Sequence, residues 1–137
     1  MIVLDANAII KLVIREEGTE KAEGVVSKAI ENGEVIASPD VALAETLNAA
    51  WKHYAFIKDI NKKELNEAVD KLLFIWERIT KLDTQRLARR AINIAAENSL
   101  NAYDSLYAAA CNANNASLLT FDEGIRSRAK SLKLTLS

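Results

Sequence analysis

The chain alternates short apolar runs with longer segments in which apolar residues recur at helical spacing. The first run, residues 1–4, ends at Asp5, and a helical pattern follows over residues 7–14. A short apolar run that changes abruptly to a helical pattern favours a buried strand followed by a helix. Further strands are predicted at residues 34–37, 79–83 and 117–121, with a short edge strand at 132–136.

Helical periodicity fills the intervals between these strands. A helix opening at Thr19 is expected to stop at Asn32 and Gly33, with Val25, Val26, Ala29 and Ile30 facing inward. The other helices are predicted at residues 39–54, 61–78, 84–98, 101–113 and 123–131.

The helix predicted at residues 39–54 carries one of the acidic residues of interest, Glu45. Ser38 and Pro39 suit its N-cap and first helical position. Glu45 lies off its apolar side, grouped with Val41, Asn48 and Lys52. The residues predicted to face the core are Leu43, Leu47, Ala50, Trp51 and Tyr54. In the helix at 61–78 they are Leu65, Ala68, Val69, Leu72, Leu73 and Trp76.

Strands that alternate with helices imply right-handed crossovers and a parallel sheet covered on both faces. The predicted fold is therefore a three-layer α/β/α arrangement with a central, mostly parallel sheet of four to five strands. A chain of 137 residues suits one domain, and we expect residues 1–137 to form it.

Composition narrows the setting. Cys111 is the only cysteine, so an intrachain disulfide is excluded and a reducing compartment is favoured. No apolar run reaches membrane-spanning length and no signal peptide is recognised, so we expect a cytoplasmic protein without a membrane partner. The net charge of −1 gives no global attraction for nucleic acid, so any such binding must come from local patches.

Four acids are the candidate chemistry. Asp5 and Asp122 directly follow predicted strands, Asp104 lies in the first turn of a helix, and Glu45 follows a strand by about two helical turns. Each alone has a structural explanation as a helix cap, a capping-box residue or a solvated position. Capping does not predict convergence, whereas the carboxyl ends of parallel strands meet at one crevice.

Four carboxylates in one pocket would repel one another unless a cation neutralised them. Mg²⁺ takes oxygen ligands and binds through carboxylates together with substrate phosphate oxygens. The sequence therefore predicts a divalent-metal site at this edge of the sheet.

The acids and their neighbours resemble the motifs of a known family. They are Asp5 with Asn7, Glu45 within residues 43–47, Asp104 within residues 103–108 and Asp122 within residues 119–123. In this order and at these intervals they resemble the PIN domain, and among its members the VapC-type toxins of toxin–antitoxin systems. The resemblance covers essentially the whole chain.

The resemblance implies an endoribonuclease dependent on Mg²⁺ or Mn²⁺ that leaves a 5′-phosphate and a 3′-hydroxyl. It implies that Asp5, Glu45, Asp104 and Asp122 are metal ligands and catalytic residues. Asn7 would hydrogen-bond the acids or a metal-bound water, and the Thr120 hydroxyl would shape the pocket. An RNA substrate, a cognate antitoxin and a homodimer are the implied partners.

Two other functions fit the same motifs. One is a PIN nuclease of RNA processing without an antitoxin, and the other is a non-catalytic PIN scaffold that binds RNA or protein. Other catalytic schemes lack support, because the sequence has no P-loop, no zinc-ligand spacing and no nucleophile elbow. His53, the only histidine, is expected at the surface or in an interface.

RNA binding would need basic residues around the acids. The candidates for such a rim, each of which could equally be a solvated helix position, are Lys11, Arg15, Lys52, Arg126, Arg128 and Lys130. The bulky aromatic residues Trp51, Tyr54, Phe56, Phe74 and Trp76 are expected mostly in the core, with one or two exposed for a dimer or an antitoxin.

Overall fold

The computed structural model describes all residues, Met1–Ser137. Its centre is one five-stranded sheet in which every neighbouring pair of strands is parallel. The strands are β1 (Ile2–Leu4), β2 (Ile36–Pro39), β3 (Thr80–Leu82), β4 (Ser117–Leu119) and β5 (Thr135–Leu136). Their spatial order is β3-β2-β1-β4-β5.

Seven helices connect and cover the strands. They are α1 (Ala6–Val13), α2 (Thr19–Glu31), α3 (Val41–Lys52), α4 (Lys62–Arg78), α5 (Thr84–Asn98), α6 (Ala102–Asn114) and α7 (Glu123–Ser127). A π-helical segment, His53–Ile57, continues α3. The predicted α/β/α class is confirmed, and the sheet is parallel throughout. None of the helices is long and apolar enough to cross a bilayer.

The strand order places a topological switch point beside β1. The chain passes from β1 to β2 and β3 on one side of the sheet, and β4 and β5 lie on the other. Leu4 pairs with Leu119, so the next residues, Asp5 and Thr120, leave the sheet at the same level. Ligands of open parallel sheets bind at such a point.

The prediction that Ser38 and Pro39 begin a helix is wrong. Both residues lie at the end of β2 and are buried, and Asp40 precedes α3 instead. The Ser38 hydroxyl donates a hydrogen bond of 2.7 Å to the Leu4 carbonyl oxygen, which satisfies a buried polar group within the sheet.

The buried face predicted for residues 39–54 is correct at Ala50 and at Leu43, which packs partly buried against the core, and wrong at the other three positions. The fully buried residues are Ala42, Thr46 and Ala50, whereas Leu47 and Trp51 are exposed. Small residues let α3 pack closely on its neighbours, and Thr46 is tolerated there because its hydroxyl donates to the Ala42 carbonyl oxygen at 2.7 Å. Seven apolar residues of the chain that were expected in the core are exposed. They are Leu47, Trp51, Tyr54, Ile30, Leu73, Phe56 and Phe74.

The last helix is shorter than predicted. It ends at Ser127 rather than near residue 131. The backbone N–H of Arg128 bonds to the Ile125 carbonyl, and the chain then continues as a series of turns. Helix α5, in contrast, has the predicted bounds, with Asp83 as its N-cap accepting a hydrogen bond from the Gln85 N–H at 2.8 Å.

Candidate active site

Asp5 occupies the centre of the site. It follows β1, caps α1 by accepting a hydrogen bond from the Ala8 N–H at 2.7 Å, and is only 2% exposed. The pKa of Asp5 is raised to about 7, mainly by burial and also by the charges of Asp122 and Asp104, while hydrogen bonds from Thr120 and Ala8 oppose the rise. An ionised Asp5 is therefore costly unless a positive charge accompanies it.

Thr120 and Asp122 come from the end of β4. The buried Thr120 side chain hydrogen-bonds to Asp5, and its hydroxyl oxygen accepts a hydrogen bond of 3.1 Å from the Asp122 N–H. Asp122 caps α7 by accepting from the Ile125 N–H at 2.9 Å. One threonine hydroxyl thus connects the two acids that follow adjacent strands.

Asp104 is fixed by the cap of α6. The Asn101 side chain accepts from the Asp104 N–H at 2.8 Å and donates to Asp104 Oδ2 at 2.7 Å. Burial and the neighbouring Asp122 raise the pKa of Asp104, and the Asn101 hydrogen bond opposes them. The capping interpretation of these acids is therefore correct, and it coexists with their convergence.

Glu45 projects from α3 and is held by Tyr107 of α6. The Tyr107 hydroxyl donates to Glu45 Oε1 at 2.6 Å. Burial raises the pKa of Glu45, the Tyr107 hydrogen bond lowers it, and the charge of Asp104 raises it. Burial also raises the pKa of Tyr107, so this hydroxyl remains a hydrogen-bond donor.

The pattern of electrostatic effects shows that the four acids share one region. The charges of Asp104 and Asp122 raise the pKa of Asp5. The charge of Asp122 raises the pKa of Asp104, and the charge of Asp104 raises the pKa of Glu45. As the side chains stand, however, no group of three or more His, Cys, Asp or Glu residues is close enough to hold a metal ion. The site is an electrostatically coupled set of carboxylates rather than a closed ligand cage.

In three of the acids only one of the two carboxylate oxygens accepts a hydrogen bond. The side-chain hydrogen bonds use Oε1 of Glu45, Oδ2 of Asp104 and Oδ1 of Asp122, which leaves the second carboxylate oxygen of each without a hydrogen bond. Hard oxygen donors of this kind suit Mg²⁺ or Mn²⁺. The chemistry of the donor set therefore fits a divalent cation.

Asn7 lies near Glu45 but does not bind the acids directly. Its side chain is exposed, makes no hydrogen bond, and lines a cavity of about 330 Å³ together with Glu45, Lys52 and His53. The suggested role of Asn7 toward a metal-bound water stays a prediction.

The placement expected for His53 is wrong. The side chain is 7% exposed and is held between two carboxylates, with Nε2 2.8 Å from Glu16 Oε2 and Nδ1 2.9 Å from Asp59 Oδ1. These contacts tie the end of α3 to the loop after α1. Asp59 is six residues away across the π-helical segment, and Glu16 is far away in sequence, so local periodicity could not reveal either partner.

The basic residues suggested as a rim have different environments. Lys11 pairs with Glu16 at 2.7 Å, and Arg15 pairs with Glu20 at 3.4 Å on the surface. Arg126 Nη1 donates to the Thr120 carbonyl at 3.1 Å, so it contacts the residue that hydrogen-bonds to Asp5. Lys52 lies beside Glu45, and Arg128 donates a hydrogen bond to the Gly124 carbonyl. Lys130 is exposed.

Comparison with known proteins shows the family of the chain. The sequence profile described as PIN domain matches residues 2–131. The chain is 30% identical over 134 residues to Ribonuclease VapC3 of Pyrobaculum aerophilum, with 96% of each chain covered.

Solved structures with the same fold include two at low sequence identity. The structure of VapBC2 from Rickettsia felis, bound to a DNA fragment from its promoter, matches with a TM-score of 0.68 at 20% identity, covering 100% of this chain and 98% of that one. Mycobacterium tuberculosis VapC20 matches with a TM-score of 0.66 at 12% identity, covering 93% and 95%. The chain belongs to the PIN domain family, and its relatives there include proteins of VapC type.

Proposed function

We propose that this protein is an endoribonuclease dependent on Mg²⁺ or Mn²⁺ and that it is the toxin of a toxin–antitoxin pair. The observation that carries the proposal is the convergence of Asp5, Glu45, Asp104 and Asp122 at the switch point of the sheet. The related Ribonuclease VapC3, and VapC20, which is described as a Sarcin-Ricin loop cleaving toxin, support RNA as the substrate.

The four acids are the proposed metal ligands. A divalent ion bound to them would polarise the scissile phosphate and lower the pKa of a water nucleophile. The carboxylates repel one another. We therefore expect their side chains to close around the ion by rotation, while the backbone, fixed by three helix caps and β1, stays in place.

The surrounding residues hold the acids in position. Thr120 orients Asp5, Asn101 orients Asp104, and Tyr107 orients Glu45. Asn7 and Lys52 line the cavity beside Glu45, from which they would contact the RNA strand or its attacking water. The protein thus supplies orientation and charge, and no histidine base is required.

The test is cleavage of an end-labelled single-stranded RNA by the purified protein with Mg²⁺, with Mn²⁺ and with excess EDTA. We expect cutting with either metal, none with EDTA, and a 5′-phosphate on the downstream product. Cleavage that persists in EDTA, or products with a 2′,3′-cyclic phosphate, would contradict the metal-dependent mechanism.

An antitoxin is the proposed regulatory partner. VapBC2 and a toxin–antitoxin complex from Klebsiella pneumoniae share the fold with this chain. An apolar groove of about 660 Å³ lies between α2 and α4, and the exposed Ile30, Val35 and Phe74 are among its lining residues. We propose this groove as the place where an apolar segment of the antitoxin binds, because exposed patches of this kind commonly mark protein interfaces.

A homodimer is proposed through a different surface. Leu47, Trp51, Tyr54, Phe56 and Ile57 are all exposed at the end of α3 and in the π-helical segment, and Phe56 is 68% exposed. Aromatic residues anchor interfaces, and a second copy would cover this patch by symmetry. Light scattering of the purified chain is expected to give the mass of two copies.

An enzyme acting on RNA with a single buried cysteine also fits a reducing cytoplasm.

Tyr107→Phe tests the support of Glu45. The hydroxyl bond to a carboxylate contributes about 1.5–3 kcal/mol, so we expect cleavage to slow roughly 10–100-fold. Because this bond lowers the pKa of Glu45, its loss raises that pKa and moves the acid limb of the pH–rate profile to higher pH. The measurement is the single-turnover cleavage rate as a function of pH.

Tyr103→Phe is the matched control. Tyr103 lies on the same helix, is exposed, and makes no side-chain hydrogen bond. Its rate and pH profile are expected to equal those of wild type. An unchanged profile in Tyr107→Phe would show that Tyr107 does not position Glu45.

A further inference from the structure

A further cavity lies where α1, α2 and α7 meet. Its volume is about 560 Å³, which is within the range of small-molecule sites. Three helices contribute cations to its walls, with Lys11 from α1, Lys21 from α2 and Arg126 from α7. Two carboxylates, Glu17 and Glu123, also line it, so cations outnumber acids.

The three cations differ in how far they are already paired. Lys11 Nζ is 2.7 Å from Glu16, and Arg126 Nε is 4.0 Å from Glu123. Lys21 forms no ion pair, and its Nζ lies 5.7 Å from the centroid of the Phe121 ring. Lys21 is therefore the cation most available to an anionic ligand.

Phe121 gives the cavity an aromatic surface. Lys11 Nζ also lies over this ring, 5.0 Å from its centroid. A ring bordered by cations is the combination with which proteins hold single-stranded nucleic acid, because bases stack on aromatic side chains while basic groups neutralise the phosphates.

Gly18 keeps this surface in place. Its φ is +91°, and a Cβ there would lie 2.8 Å from Phe121 Cε1 and 3.1 Å from side-chain carbons of Lys11. Only glycine lets the loop between α1 and α2 pack this closely against the ring. The cavity wall is therefore preformed by backbone and does not depend on flexible side chains alone.

The cavity is connected to the four acids through short links. Phe121 lies between Thr120, which hydrogen-bonds to Asp5, and Asp122. Arg126 reaches back to the Thr120 carbonyl with a bond of 3.1 Å. Phe121 and Arg126 therefore connect the cavity wall to the residue that hydrogen-bonds to Asp5.

We propose that the cavity formed by Lys11, Lys21, Phe121 and Arg126 binds the nucleotide next to the scissile phosphate of the RNA strand. Its phosphate contacts Lys21 and Arg126, and its base packs against Phe121. This subsite rests on the proposed ribonuclease function and adds to it the surface that positions the strand.

The test is the binding of a fluorescent single-stranded RNA pentanucleotide by anisotropy in EDTA, over a series of salt concentrations. The variants are Lys21→Gln and Phe121→Leu. Lys28→Gln is the matched control because Lys28 is exposed on the same helix and does not line the cavity.

We expect Lys21→Gln to weaken binding at least threefold and to reduce the slope of log K against log salt concentration by about 0.7, the value for one phosphate contact on a single strand. Phe121→Leu is expected to weaken binding about tenfold with an unchanged slope. Lys28→Gln should match wild type in both affinity and slope.

Equal affinities and slopes for Lys21→Gln and Lys28→Gln would overturn the subsite, as would the absence of RNA binding by wild type. Parallel cleavage assays separate this result from failure of the proposed function. Cleavage that does not depend on Lys21 or Phe121 refutes the subsite alone. Lys21-dependent binding by a protein that does not cleave refutes the nuclease and leaves the cavity as an RNA-binding surface only.

Discussion

Asp5→Asn is expected to stabilise the metal-free protein, and to do so more at pH 8 than at pH 5. Asn retains the side-chain oxygen that accepts from the Ala8 N–H, so the cap of α1 survives. The substitution removes only the charge of a carboxyl that burial keeps at a pKa of about 7. Loss of the buried negative charge in Asp5→Asn should therefore stabilise the fold.

The direction follows from proton binding. The folded wild type holds a proton on Asp5 up to about pH 7, whereas the unfolded chain releases it near the ordinary value of 3.8. The folded state therefore binds more protons between these pH values, and wild-type stability falls as the pH rises through them. Between low pH and pH values above 7, the free energy of unfolding of the wild type falls by about 4 kcal/mol through Asp5. About 1.5 kcal/mol of this is already lost at pH 5.

The measurement is urea unfolding in EDTA at both pH values. We expect the difference in free energy of unfolding between Asp5→Asn and wild type to be about 2–3 kcal/mol larger at pH 8. Asp83→Asn is the control because Asp83 also caps a helix but is exposed and is not among the charges that raise the pKa of Asp5. A pH-independent difference in Asp5→Asn would show that Asp5 is not held in the environment described.

Asp104→Asn is expected to reduce RNA cleavage by at least about a thousandfold. If the four acids hold the metal, losing one charged ligand should remove several kcal/mol of transition-state stabilisation. Asn keeps the size of the side chain and an oxygen that can accept from Asn101, so the α6 cap is preserved. The loss should therefore appear in the rate and not in the stability.

Single-turnover cleavage with enzyme in excess measures this effect without interference from product release. Circular dichroism and the unfolding midpoint verify that Asp104→Asn is folded. Asp83→Asn is expected to cleave within twofold of wild type. An Asp104→Asn rate within tenfold of wild type would exclude Asp104 from the metal site.

Much of the fold could be predicted because its signals are local. The apolar run before Asp5 marks β1, and helix α5 has the predicted bounds because Asp83 caps its start and Ser99 ends it in a left-handed conformation. Parallel topology then follows from alternating strands and helices. The same rule predicted that Asp5 and Asp122 would approach each other.

The buried face of α3 could not be predicted from apolar periodicity. The pattern favoured Leu47 and Trp51, but the structure buries the smaller Ala42 and Thr46. Which face a helix buries depends on how closely its partners approach, and this is a property of tertiary packing. The exposed aromatics therefore lie on the proposed dimer surface rather than in the core.

The supporting residues of the site were missed for a similar reason. Tyr107 lies within a motif that was recognised, yet its hydrogen bond to Glu45 joins residues 62 positions apart. Its place three residues after Asp104 on α6 was the one available sequence signal, because residues at this spacing share a helix face. Lys21 and Phe121 meet only because α1, α2 and β4 converge, and no local pattern records this.

The central claim is that Asp5, Glu45, Asp104 and Asp122 together hold a divalent cation, and binding of Mn²⁺ tests it most directly. In a titration followed by electron paramagnetic resonance, the signal of free Mn²⁺ should fall with wild type and with Asp83→Asn to the same extent. Asp104→Asn should bind at least tenfold more weakly. Wild type that leaves the free Mn²⁺ signal unchanged, or Asp104→Asn that binds as tightly as wild type, would contradict the account.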